Sequence, residues 1–194
     1  MGEKMNEYLD DFVPCLHNIL RDQTMDRRIK LPALHALGDL CMFCGDVFNA
    51  KFLDSTLSIL SQAARTSTGT AGLDVETLEF LSELREVIID SYIIIVMAAA
   101  DSNCLYMFKP YLDAIFEFAE KTVGIEGPAN PKVLKLIIAL VGDIATNFKE
   151  VPEVKAKVTL PYIEQSIIFL QSQSDAESKD QAAYTLNAIK SLLQ

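Results

Sequence analysis

The feature that most constrains this chain is its apolar periodicity. Hydrophobic residues recur at spacings of three and four almost everywhere, and no stretch alternates as a half-buried strand requires. A period near 3.6 residues gathers such side chains into one stripe of a helix, so each helix needs a neighbour to cover it. Little interrupts the pattern, because 194 residues include only 8 Gly and 7 Pro. The spacing predicts eight helices, at about 5–21, 25–45, 48–65, 74–100, 105–123, 130–148, 152–172 and 176–193. Thr66 to Leu73, rich in Ser, Thr and Gly, reads as an exposed loop. Asn130-Pro131 reads as a helix start, with Asn as cap and Pro in the first turn.

An internal repeat joins these helices into four antiparallel pairs. Leu37-Gly38-Asp39-Leu40 and Val141-Gly142-Asp143-Ile144 share a phrase, and Ile89-Asp90-Ser91 sits in the same register. The three aspartates are 51 and 53 residues apart. The first helices echo one another through Phe12-Val13-Pro14-Cys15-Leu16, Phe108-Lys109-Pro110-Tyr111-Leu112 and Leu160-Pro161-Tyr162-Ile163. A proline inside a helix removes a hydrogen bond and bends it, so a bend is expected at each of these places. One pair alone leaves its stripe uncovered, and neighbouring pairs must stack to bury it. The expected fold is all-α, an α-solenoid forming a single domain over 1–194, with repeats at about 5–47, 48–101, 105–149 and 152–194. The helical pattern begins at once after Met1-Gly2, as in an array severed between repeats.

Charge and composition remove several classes of function. A net charge of −10 opposes contact with nucleic-acid phosphate or an anionic membrane, and favours a basic protein or peptide as partner. The longest apolar run, 92–100, is about half of what crosses a bilayer, and 1–11 carries charges where a signal peptide would be apolar. No membrane insertion is expected. Four cysteines make no disulfide framework, which points to a reducing compartment. Cys41-x-x-Cys44 has only His17 and His35 to complete a zinc site, and in an amphipathic helix both cysteines read as small hydrophobes. The chain carries no nucleophile elbow, phosphate loop or metal-binding His pair. The expectation is no enzyme, no catalytic residue, no metal and no cofactor.

The sharpest functional signal lies in the second helix of the second pair. Glu76, Glu79, Glu83, Glu86 and Asp90 are spaced 3, 4, 3 and 4, so at 100° per residue they share an arc roughly 80° wide. Leu78, Leu81, Leu84, Ile88, Tyr92 and Ile95 take the opposite side. A plain solvated face is the simpler reading. Solvated faces usually mix signs, however, and like charges at this spacing cost about 0.2–0.5 kcal/mol per pair. A row of five carboxylates without an interleaved Lys therefore reads as a binding face for a basic segment. Asp39 and Asp143, on neighbouring second helices, either extend that face or serve as ladder residues between repeats. Tyr184 either faces a partner or closes the end of the array. Arg85 falls among the apolar residues and needs a carboxylate, for which an aspartate of an adjacent repeat is the natural candidate. Asp22 and Arg28 suggest a similar ladder.

Leu78-Glu79-Phe80-Leu81-Ser82-Glu83-Leu84-Arg85-Glu86, followed by Asp90 and Tyr92, resembles the C-terminal HEAT repeats of the importin-β (karyopherin-β) family. The Leu-Gly-Asp-Leu and Val-Gly-Asp-Ile phrases and the closing helix are similar to that family too, over nearly the whole chain. The resemblance implies HEAT-type helix pairs and a nuclear import receptor fragment that wraps the basic importin-β-binding helix of importin-α, or another basic cargo. By position, Glu79, Glu83, Glu86 and Asp90 match the family's acidic row, and Tyr184 stands where the family has Trp. Phe-Gly nucleoporins are implied as further partners, and Ran only through N-terminal repeats that this chain lacks. The implied location is cytoplasm and nucleus, at the nuclear envelope and pore. The reading from a different class is a HEAT scaffold that holds a non-transport complex together.

Overall fold

The computed structural model describes residues 2–22 and 24–194, with residues 2 and 3 described by backbone alone. Helices dominate, and the described residues include no strand. A helical turn at Gly2–Met5 and a 3-10 turn at Asn6–Tyr8 lead into α1 (Leu9–Arg21). Arg27–Ser67 is one helical run bent at Gly45, whose φ of 42° and ψ of −115° lie outside the helical region. We number its halves α2 (27–44) and α3 (46–67). Then come α4 (Val75–Asp101), a 3-10 segment (Leu105–Tyr111), α5 (Leu112–Glu126), α6 (Pro131–Asn147), α7 (Pro152–Lys157), α8 (Pro161–Ser172) and α9 (Ala176–Leu193). The chain forms two compact units, Met1–Tyr111 and Leu112–Gln194.

In the first unit α1 pairs with α2, and α3 with α4. The apolar stripes meet in a core that includes Leu34, Leu37, Phe48, Leu57, Ile88 and Tyr92, each no more than 1% exposed. The glycine at 45 supplies a positive φ that a side chain would resist, and so turns the chain between α2 and α3 without a loop. Side chains cap the helix starts: Asp26 accepts from the Arg28 amide at 2.9 Å, and Asp74 from the Thr77 amide at 2.7 Å. Between the first helices of the two pairs, buried His17 places Nε2 3.1 Å from Thr56 Oγ1. Nearer solvent, Lys51 Nζ reaches both Asp10 oxygens at 2.9 and 3.0 Å. Arg27–Ser67 is apolar and long enough to cross a bilayer by composition alone, but the bend at Gly45 divides it and both halves contribute to this core.

In the second unit α5 pairs with α6, and α8 with α9. Asn130 caps α6 by accepting from the Val133 amide at 3.3 Å, with Pro131 at the first helical position, as the sequence suggests. Tyr162 of α8 donates to the Phe116 carbonyl of α5 at 3.3 Å. The second helices, α6 and α9, approach very closely. A Cβ added to Gly142 would stand 2.7 Å from Thr185 Oγ1 and 2.8 Å from Tyr184 Cε1, so only glycine fits there. Thr185 uses that proximity to donate to the Ile138 carbonyl at 2.7 Å. Gly38 in the matching phrase is looser, since a Cβ there would meet Ile94 at an ordinary 3.6 Å.

Helix boundaries differ from the periodicity where proline intervenes. Of the three echoing prolines, Pro14 lies inside α1, as expected. Pro110 instead sits in the 3-10 segment, and α5 starts only at Leu112. Pro161 opens α8, so the helix expected over 152–172 is two helices, α7 and α8. The cause is local: proline crowds the residue before it out of the helical region, and Leu160 accordingly has φ −63° and ψ 141°.

Two stability outcomes follow. Gly142→Ala should cost about 1–3 kcal/mol through overpacking of α6 on α9. Gly38→Ala should be neutral or stabilising by up to about 1 kcal/mol, since a helical Gly gives way to a better helix former. Urea unfolding of both variants would refute the close-approach argument if they shifted alike. Burial, helped by the nearby Arg21 charge, lowers the His17 pKa from 6.5 to about 4. The unfolded chain then takes up this proton first, so the stabilisation is complete above pH 6.5 and is lost as pH falls toward 4. His17→Gln should flatten that part of the stability–pH curve, and an unaltered slope would show that His17 is not its source.

Candidate functional site

The candidate site is built on α4, whose rotation about its axis is fixed by what it buries. Leu81, Leu84, Ile88, Tyr92 and Ile95 are buried, and Leu78 is half-buried at the helix start. Glu76, Glu79 and Glu83 consequently stand exposed on the other side, with Glu86 and Asp90 half-buried along the same arc. The five carboxylates therefore do share one face. Arg85 is 2% exposed among the apolar residues, as its angle requires. Its Nη1 donates to the Ser67 carbonyl at 2.5 Å, so the final turn of α3 supplies a partner where the sequence suggested an aspartate. Carbonyls at a helix C-terminus carry partial negative charge and lack helical donors, which suits a guanidinium.

The row is not purely acidic in its surroundings. Glu76, Glu79 and Glu83 line a hollow of about 270 Å³ together with Phe80, Asp26, Arg27 and Arg28. Arg27, at the start of α2, donates Nη1 to Thr77 Oγ1 at 2.9 Å and lies 5.5 Å above the centre of the Phe80 ring. Its charge adds to the Thr77 hydrogen bonds that hold the Asp74 carboxyl below its ordinary pKa. Arg28 is largely exposed, with Nε 3.9 Å from Asp26. Farther along, His35 Nδ1 is 3.9 Å from Asp90 Oδ2. These basic neighbours come from a helix about 50 residues earlier, and nothing in the α4 sequence announces them.

Other expected residues fall elsewhere. Asp39 is exposed on α2 but opens on a separate, mainly apolar hollow of about 460 Å³ with Tyr8, Phe12 and Phe43. Asp22 and Arg28 form no ladder: Asp22 accepts from the Thr24 amide and hydroxyl, both at 2.7 Å, while Arg28 turns to Asp26. Tight local turns of this kind capture an aspartate before a partner six residues away can. In the second unit, Tyr184 donates to Asp143 Oδ1 at 2.8 Å and lies 3.4 Å from Thr146 Oγ1. Burial raises the Asp143 pKa, and the phenol hydrogen bond works against that rise. Both residues therefore belong to the α6–α9 packing, although Tyr184 keeps 44% of its surface exposed. Lys135 and Glu177 add an ion pair at 2.7 Å between the same two helices.

The cysteines behave as packing residues. Cys41 and Cys44 are buried, and Cys41 donates to Asn49 Oδ1 at 3.3 Å. Burial, with Cys104 and Cys44 nearby, pushes the Cys41 thiol up to about 12, which leaves it a poor nucleophile or metal ligand. Among the described residues no group of three or more His, Cys, Asp or Glu converges to hold a metal ion. What the α4 face can do is attract cations through several weak, solvent-screened contacts.

Comparison with known proteins places this geometry. The family model described as importin subunit beta-1-like, TPR repeats, matches residues 1–173. Importin subunit beta-1 of Schizosaccharomyces pombe is 22% identical over 191 residues, which is 98% of this chain and 22% of that protein. Importin subunit beta-1 of Arabidopsis thaliana is 27% identical over 145 residues, or 75% of this chain and 16% of the relative. The chain thus spans about a fifth of the length of these curated relatives. Among solved structures, one in which Kap95p binding induces the switch loops of RanGDP to adopt the GTP-bound conformation superposes with a TM-score of 0.84. It is 21% identical and covers 99% of this chain and 22% of that one. A crystal structure of importin beta in an ammonium sulfate condition gives 0.80 at 24% identity, again over 99% of this chain and 22% of that one. The fold is the HEAT-type α-solenoid of those structures, and with nine-tenths of its length matched by the family model, the chain belongs to the importin subunit beta-1-like family.

Proposed function

We propose that this chain is a non-enzymatic, ligand-binding stretch of a nuclear transport receptor, and that the α4 face takes a basic segment such as the importin-β-binding helix of importin-α. The observation that carries this reading is the exposure of Glu76, Glu79 and Glu83 on a helix whose other side is anchored in the core. Membership of the importin subunit beta-1-like family supports it, as does a net charge of −10. Glu86 and Asp90 continue the face with less freedom. Asp39, Asp143 and Tyr184 are secondary, because Asp39 opens on a different hollow and the other two are bonded to each other. A receptor of this kind works in cytoplasm and nucleus, and its contacts with Phe-Gly nucleoporins, and with Ran through N-terminal repeats outside this chain, belong to the same proposal.

Each exposed pair contributes only about 0–1 kcal/mol, so affinity must come from several pairs along a bound helix and from steering at long range. Screening over about 8 Å at physiological ionic strength should then weaken binding markedly. The test is titration of this chain with a labelled importin-β-binding peptide at low and physiological salt. Glu79→Lys/Glu83→Lys is the informative variant, since both side chains are exposed and neither supports the core. A loss of roughly tenfold or more, with helicity by circular dichroism unchanged, is expected. Binding that persists at high salt and ignores the double substitution would favour the scaffold reading instead.

A further inference from the structure

We propose that Arg27 is a built-in competitor for the acidic face of α4, an autoinhibitory contact that a basic ligand must displace. This inference rests on the reading of that face given above and adds a device that sets its affinity. Arg27 does what an incoming arginine would do there. Its guanidinium donates to Thr77 Oγ1 at 2.9 Å, lies 5.5 Å over the Phe80 ring and lines the same hollow as Glu76, Glu79 and Glu83. The aromatic face, the hydroxyl and the carboxylates together make a site for a planar cation. Arg27, which begins the neighbouring helix, already holds the aromatic face and the hydroxyl, with Arg28 beside it and 88% exposed.

A guest cation arriving at this end of the row meets two costs. Arg27 must leave Phe80 and Thr77, and its charge then repels the guest across a distance shorter than the screening length. The far end of the row, at Glu86 and Asp90, lies farther along α4. There His35 Nδ1 stands 3.9 Å from Asp90 Oδ2. Arg27 lowers affinity without removing any acidic residue.

The test uses the labelled importin-β-binding peptide at low salt against the whole chain and three single variants. Arg27→Gln removes the plug and one charge. Arg27→Lys keeps the charge but loses the planar stacking and hydrogen-bonding fork. Lys51→Gln removes one charge from the α1–α3 ion pair with Asp10, outside the hollow. Arg27→Gln should tighten binding by roughly three- to tenfold, Arg27→Lys should fall between it and the parent chain, and Lys51→Gln should change affinity less than about twofold. Equal gains from Arg27→Gln and Lys51→Gln would overturn the inference, because bulk charge would then account for them. Parent-chain binding that is lost in Glu79→Lys/Glu83→Lys yet unchanged or weakened by Arg27→Gln would overturn it too, while leaving the α4 face as the binding site. Failure of both the parent chain and Arg27→Gln to bind would end the parent reading and the inference together. Binding gained only on Arg27→Gln would support both, with the plug closing the site in the parent chain.

Discussion

The rotation of α4 about its own axis is the constraint on which the rest depends. Leu81, Leu84, Ile88, Tyr92 and Ile95 seat one side of the helix in the first unit's core, and each of them is less than a tenth exposed. Burying such side chains stabilises by about 1.5–3 kcal/mol each, far more than any charge on the far side could offset. Arg85 adds a directional lock, because a guanidinium at 2% exposure must keep its bond to the Ser67 carbonyl or be left buried with that donor unmet. Turning the helix by a single residue, about 100°, would move apolar side chains into water and carboxylates into the core. The acidic face is thus positioned by packing.

Helix content and pairing were legible because they rest on periodicity, which is local. The same arithmetic placed the five carboxylates together and put Arg85 inside. Legibility ended where a partner came from far along the chain or where the backbone decided the outcome. Arg27 reaches Thr77 across 50 residues, and no spacing within α4 encodes that meeting. Arg85 finds a backbone carbonyl, and sequence patterns say little about which carbonyls stand free at a helix end. Pro161 reads as a bend in a continuous helix, whereas its effect on Leu160 ends one helix and starts the next. Asp22 is drawn into a turn with Thr24, a short-range competitor that a search for distant pairs passes over.

The Gly-Asp phrases show how one sequence motif can serve two local ends. In the second unit Gly142 removes a side chain so that α9 can lie against α6, and Asp143 then meets the Tyr184 hydroxyl. The carboxylate is committed to helix packing, and desolvation raises its pKa even though the phenol stabilises its charge. In the first unit Gly38 leaves ordinary contact distance to Ile94, and Asp39 remains exposed beside an apolar hollow. The shared phrase therefore fixes neither a common closeness of helices nor a common binding group. Asp90, at the corresponding register of the helix between them, has His35 of α2 as its neighbour across the same kind of helix–helix seam.

Charge on this scaffold acts as a graded quantity. The α4 face presents Glu76, Glu79 and Glu83 to solvent, while Arg27 and Arg28 of α2 stand at one end of it. A fully acidic trough would bind any basic chain tightly and release it slowly, since affinity differences among related complexes lie mostly in dissociation. Placing cations at one end shortens the stretch of uninterrupted negative potential. Exposed pairs worth only about 0–1 kcal/mol each suit that arrangement, because a ligand held by many weak contacts can be displaced a few at a time. The packing of α4 fixes where the face points, and the flanking arginines set positive charge against one end of it.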